Sequence, residues 1–158
     1  MRTLAVLCCA VAIVACAKSE TRTADTTPVA ATPAPPPAPA PIKLSDVAGT
    51  WTVTGKTESG DSTLVTYTLT ATGDTSGWSM KFPQSAKPVP LHVVAVEGDS
   101  IVIDAGPYAS VLRKGVQVRT HGAVRLTDGK LVGITTAHYN VKTADSVRRV
   151  RLEGTRAP

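Results

Sequence analysis

The side chains of this 158-residue chain best suited to chemistry by type are its three cysteines, its three histidines and its twelve carboxylates. Cys8, Cys9 and Cys16 all fall in the first sixteen residues. Everything after them therefore lacks a thiol nucleophile, a thiolate metal ligand and an internal disulfide. Of the histidines, His92, His121 and His138, the last two would be diagonal neighbours on paired strands, about 7–8 Å apart between backbones. A zinc ion could bridge them, but their hairpin face carries no Asp, Glu or Cys to complete a site. They are read as surface histidines, and no metal site is expected. Most carboxylates sit near turns, where capping of the backbone accounts for them. Asp104 is expected to point outward just before a Gly106-Pro107 loop. Glu153 is expected to form a surface ion pair with Arg149 or Arg151. There is no Gly-x-Ser-x-Gly, no His-Glu-x-x-His and no acid–base pair at a defined spacing. A non-catalytic protein without a cofactor is expected.

The chain opens with Met1-Arg2-Thr3 and an uninterrupted apolar run from Leu4 to Val14. That run is too short for a membrane-spanning helix and suits the core of a secretory signal. It ends in Ile13-Val14-Ala15-Cys16, which resembles the bacterial lipobox. The resemblance implies a signal peptide over residues 1–15, cleavage before Cys16, and a diacylglycerol on the Cys16 sulfur with acylation of the new amino terminus. Two or more acyl chains make a stable membrane anchor, where one binds only marginally. Ala17 follows in place of the Asp that marks inner-membrane retention in enteric bacteria. The expected location is thus the bacterial cell envelope, with the outer membrane favoured.

Residues 16–41 hold the lipidated cysteine and a segment of Thr, Ala and Pro, densest at Pro33-Ala34-Pro35-Pro36-Pro37-Ala38-Pro39-Ala40-Pro41. Proline lacks an amide donor and fixes its own φ, which excludes helix and central strand. A disordered, polyproline-like tether with about 3.1 Å rise per residue is expected.

Residues 42–158 are expected to form one domain, with hydrophobic residues at 42% and charged residues at 18% of the whole chain. The formal net charge is +5, and Arg148, Arg149 and Arg151 make the densest basic run. A solvated outer face explains that run, and contact with anionic lipid or glycan is the alternative. Nucleic acid is disfavoured by export and by the lack of stacking aromatics beside the charge.

Short β-branched runs separated by Gly, Asp and Ser read as eight antiparallel strands, near 50–57, 63–72, 77–83, 89–97, 100–105, 115–126, 130–141 and 146–156. A single helical turn is expected around Leu44-Ser45-Asp46-Val47. Asp128-Gly129 suits a two-residue type I′ turn, which sets Leu126 opposite Leu131. One face of that hairpin then collects Val116, Val118, Thr120, Val124 and Leu126 with Leu131, Thr135, Ala137, Tyr139 and Val141, and is expected to face the core. The other collects Gln117, Arg119, His121 and Arg125 with Thr136, His138 and Asn140, although Val132 and Ile134 fall there and blur the division near the turn. Gly98-Asp99 suits a similar turn, pairing Val96 with Ile101 and Val94 with Ile103. Both faces of that second hairpin are apolar, so its inner face is not decided.

Eight sequential strands close most simply into an up-and-down barrel, with a flattened β-sandwich as the alternative. Arg and His on one strand face, and no aromatic girdle, argue against a membrane-spanning barrel. Gly49-Thr50-Trp51, at the start of the first strand, resembles the Gly-x-Trp opening of lipocalins and their calycin relatives. The resemblance implies that Trp51 plugs the closed end and that a basic residue near the end of the last strand packs across it. Arg156 is the candidate. The later Thr-Asp-Tyr signature of that family does not occur in the chain.

Such a barrel either fills itself or keeps one ligand cavity. The inward residues expected to line one are Val65, Tyr67, Trp78, Met80, Phe82 and Tyr139. The expected function is binding of a small apolar or amphipathic molecule at the envelope. A protein-interaction or structural module with a filled core, working with an envelope protein, is the alternative.

Overall fold

A computed structural model describes residues 40–158. The expected signal peptide, Cys16 and nearly all of the expected tether lie outside the described residues. Lys43 and the following residues make one helical turn, α1 (Leu44–Val47), in which the Lys43 amide donates to the Asp46 carboxylate at 3.0 Å. Eight strands follow: β1 (Gly49–Thr57), β2 (Thr63–Ala71), β3 (Ser79–Lys81), β4 (Val89–Glu97), β5 (Ser100–Ala109), β6 (Gln117–Thr127), β7 (Lys130–Tyr139) and β8 (Val147–Arg156).

Each strand pairs antiparallel with its neighbours in sequence, and β8 returns to β1, so the sheet is a closed eight-stranded barrel. Closure leaves no exposed edge and excludes the sandwich. Alternation does most of the placing. Val53 on β1, Leu69 on β2, Met80 on β3, Ile101 on β5, Val124 on β6 and Leu131 on β7 turn inward and are buried. Thr66, Thr68 and Thr70 stand outward on β2.

Asp128 and Gly129 both take positive φ, 50° and 74°, as a type I′ turn requires. Leu126 faces Leu131 as the turn chemistry dictates. At the β4–β5 turn only Gly98 has positive φ, at 57°, the pattern of a type II′ turn. Val96 faces Ile101, but a bulge between Val93 and Ala95 then shifts the register. Val93, not Val94, lies opposite Ile103, and Val94 is turned out to 58% exposure. The bulge resolves the ambiguity of two apolar faces. Leu91 and Val93 point inward with Ala105 and Ile103, while Ala95 and Val102 form the outer row.

A second bulge extends β5 beyond its expected end. Gly106-Pro107 is not a loop but an irregularity inside the strand, and pairing with β6 resumes at Tyr108. Gly106 adopts φ 100°, and a Cβ there would lie 2.6 Å from the Val118 carbonyl oxygen, so only glycine fits. Proline is tolerated because a bulge needs no ladder donor from it.

Candidate functional site

The two ends of the barrel differ in construction. At one end Trp51 is wholly buried and its Nε1 donates to the Val47 carbonyl of α1 at 2.8 Å. Arg156 lies directly opposite Trp51 in the β1–β8 register. Its guanidinium carbon is 4.4 Å from the Trp51 ring centroid. The same group donates to the carbonyls of Ala48 and Asp46, both at 2.8 Å, satisfying acceptors left free at the end of α1. Gly49 takes φ 130°, and a Cβ there would lie 2.8 Å from Arg156 Nη1. The glycine of Gly49-Thr50-Trp51 therefore makes room for the arginine that covers the tryptophan.

Trp78 belongs to this closed end as well. It is 2% exposed, its Nε1 donates to the Asp74 carbonyl at 2.8 Å, and it does not line the cavity. The reading of Trp78 as a ligand contact is corrected on that ground. The β2–β3 loop folds its backbone under the indole, a placement that strand alternation does not reveal.

The interior toward the other end holds an apolar cavity of about 100 Å³. Val65, Tyr67, Met80, Phe82 and Tyr139, five of the six inward residues singled out from the sequence, line it. Tyr67 and Phe82 have ring centroids 5.5 Å apart, and Phe82 and Tyr108 5.9 Å. The alternation of β2 puts Tyr67 there, Phe82 follows directly after β3 with the inward parity of Met80, and the bulge after Ala105 delivers Tyr108. That tyrosine was not found from the sequence, because the strand was read as ending before it. Ser110, Val111 and Leu112 of the β5–β6 loop complete the lining, and Leu112 reaches the surface at 36% exposure.

No carboxylate, imidazole, ammonium or guanidinium lines this cavity. Its polar groups are the Tyr67, Tyr108 and Tyr139 phenols with Ser110, Thr120 and Thr135. Burial pushes the Tyr67 hydroxyl well above the usual phenol range, helped by Tyr108. Burial likewise pushes Tyr108 up to about 12, against a hydrogen bond with Thr120 that lowers it. These hydroxyls stay protonated at neutral pH. They can orient a ligand by hydrogen bonds but cannot act as bases there.

Charged groups gather around the mouth instead. The Arg113 guanidinium lies 4.4 Å from the Tyr139 ring centroid and pairs with Asp145, which ties the β5–β6 loop to the β7–β8 loop. Arg149 pairs with Glu58 at 3.0 Å and Arg151 with Asp61 at 2.9 Å across the β1–β2 turn. Glu153 pairs with Lys56 of β1, not with Arg149 or Arg151 as expected. Closure of the barrel brings Lys56 alongside β8, a neighbour invisible within one strand. His121 and His138 are exposed on β6 and β7, and Asp104 of β5 contacts His121 Nδ1. Among the described residues no three potential metal ligands converge.

Comparison of the chain with protein-family models, with curated proteins and with solved structures gave no match.

Proposed function

We propose that this protein is a bacterial envelope lipoprotein, anchored through Cys16, whose calycin-like barrel binds a small apolar or amphipathic molecule without catalysis. The observation that carries the reading is the apolar cavity, which lies above a plugged end and whose lining reaches the surface at Leu112. Its lining offers hydrogen bonds from Tyr67 and Tyr108, which burial keeps protonated at neutral pH, and no carboxylate, imidazole, ammonium or guanidinium, which favours binding over turnover. Size restricts the ligand. Common small-molecule pockets have about 300–1,000 Å³, whereas this one has about 100 Å³. At roughly 30 Å³ for a water-sized group, three or four such groups fill it. A short alkyl chain or a small ring is the matching apolar part.

Native mass spectrometry of the full chain, purified gently from the envelope, tests the binding reading. One added small-molecule mass per protein, lost on denaturation, is the expected result. A ligand-free mass from folded protein, with no shift in Tm on adding short-chain amphiphiles, would sink it. Labelled palmitate tests the anchor: incorporation in wild type and none in Cys16→Ser is expected, and label retained in the variant would refute acylation at that sulfur.

A second reading, a protein-interaction module, draws on a different observation. Ala95, Val102, Ala123 and Ile134 pair in series across the outer surface of β4 to β7, with Ile134 43% exposed. Cross-linking in the envelope that captures one protein through this row, from a barrel with no bound ligand, would favour it.

A further inference from the structure

The polar groups along the cavity wall differ in whether they already have partners. Thr135 donates to the His121 carbonyl at 3.3 Å, and Ser110 accepts from the Leu112 and Arg113 amides at 3.2 and 3.0 Å. Tyr108 is bonded to Thr120. Tyr67 has no such partner: its hydroxyl makes no hydrogen bond among the described residues, and only burial and the nearby Tyr108 act on its ionisation. Among those residues no sealed side-chain oxygen or nitrogen lacks a partner, so the Tyr67 oxygen is not closed off by packing. The space beside it is the cavity that its side chain lines.

The surroundings select what this hydroxyl can meet. Phe82 contacts both Tyr67 and Tyr108, with ring centroids 5.5 and 5.9 Å away, so three aromatic rings share one part of the wall. A charged group brought among them would lose its hydration with no opposite charge along the lining to replace it. A purely apolar guest would leave the Tyr67 hydrogen without an acceptor and without water, which is also unfavourable. A guest with a neutral oxygen acceptor avoids both penalties.

We propose that the ligand is a small neutral molecule bearing a carbonyl or ether oxygen, which accepts the Tyr67 hydrogen while its short apolar part fills the rest of the cavity. The inference rests on the ligand-binding reading above and adds the ligand's charge and its hydrogen-bonding type. A phenol carries one hydrogen to donate, so a single acceptor oxygen satisfies it. Apolar walls with one placed polar contact give affinity through burial and orientation through the hydrogen bond.

The test is an NMR shift titration of the full chain with four guests of similar size: butanone, isopentane, butyrate and butylammonium. It is run on wild type and on Tyr67→Phe, which removes the oxygen and keeps the ring that packs on Phe82. Butanone is expected to bind the variant about fivefold or more weakly, whereas isopentane binds it at least as tightly as it binds wild type. In wild type, butyrate and butylammonium are expected to be weaker than butanone. The carbonyl stretch of bound butanone, read by infrared difference on wild type alone, is expected at the lowered frequency of a hydrogen-bonded ketone. A stretch at its value in alkane overturns the inference while leaving the cavity as a ligand site. So does a butanone affinity that the substitution leaves unchanged, or lowers no more than it lowers that of isopentane. Butyrate or butylammonium binding more tightly than butanone also overturns it. If none of the four binds, the ligand-binding reading falls with it.

Discussion

Replacing Arg156 with alanine probes how the closed end is held. The side chain contributes a cation–π contact with Trp51, worth about 0.5–1 kcal/mol where solvent reaches the cation. It also donates two hydrogen bonds to the carbonyls of Ala48 and Asp46. Bonds from a charged donor contribute about 1.5–3 kcal/mol each when buried. Arg156 is exposed, so screening reduces each to roughly 0.5–1 kcal/mol. Together these give about 1.5–3 kcal/mol for Arg156→Ala, or a Tm lowered by roughly 6–12 °C in a domain of this size. Arg156→Lys keeps the charge but not the planar fork that reaches two carbonyls at once, so it recovers less than half of the loss. Urea unfolding of both variants, and of each combined with Trp51→Phe, measures the coupling in a double-mutant cycle. A loss below about 0.5 kcal/mol for Arg156→Ala, or full recovery by lysine, would refute the argument that this fork pins α1 over Trp51.

Other substitutions test other parts of the barrel. Gly133→Ala would set a Cβ 2.2 Å from the Ala123 carbonyl oxygen and is expected to cost about 1–3 kcal/mol by urea unfolding; a neutral result would mean that β6 and β7 can separate there. Val94→Asp, at a side chain turned out by the bulge, is expected to stay within about 0.5 kcal/mol of wild type, whereas Ile101→Asp unfolds the domain. The reverse ranking, read by circular dichroism, would place the wrong face inward. Asp145 is held below the usual carboxylate range by hydrogen bonds from Thr143 and Arg113. Its folded-state value lies under the unfolded value of 3.8, so its contribution is present above that pH and is lost as pH falls through the folded value. Amide exchange at residues 111–116 is therefore expected to quicken below pH 3.8 in wild type. In Asp145→Asn it is expected to be fast already at neutral pH; matching profiles for the two proteins would rule out the Arg113–Asp145 tie.

Much of the cavity was legible residue by residue. Tyr67 alternates with Thr on β2 and Met80 with Ser and Lys on β3, a parity that Phe82 continues just past the strand's end, and period two assigns their faces wherever the strand is unbroken. Tyr108 was missed because Gly106-Pro107 carries the composition of a loop and only pairing with β6 keeps it in the sheet. Trp78 was placed one contact too far along, since its parity is inward but the turn beneath it is not encoded by parity.

Local physics thus determined the eight strands, the inward rows of β2, β6 and β7, and the register around Asp128-Gly129. Each of these depends on neighbours a few residues away, on alternation, or on the φ that a turn demands. Trp51 and Arg156 were instead pointed to at one end by the resemblance of Gly49-Thr50-Trp51 to the lipocalin opening. The inner face of β4, the Lys56–Glu153 pair and the volume left inside were decided only in three dimensions. A bulge inverts parity for everything beyond it, and closing β8 onto β1 joins residues 97 positions apart. Neither event leaves a periodic trace in the chain.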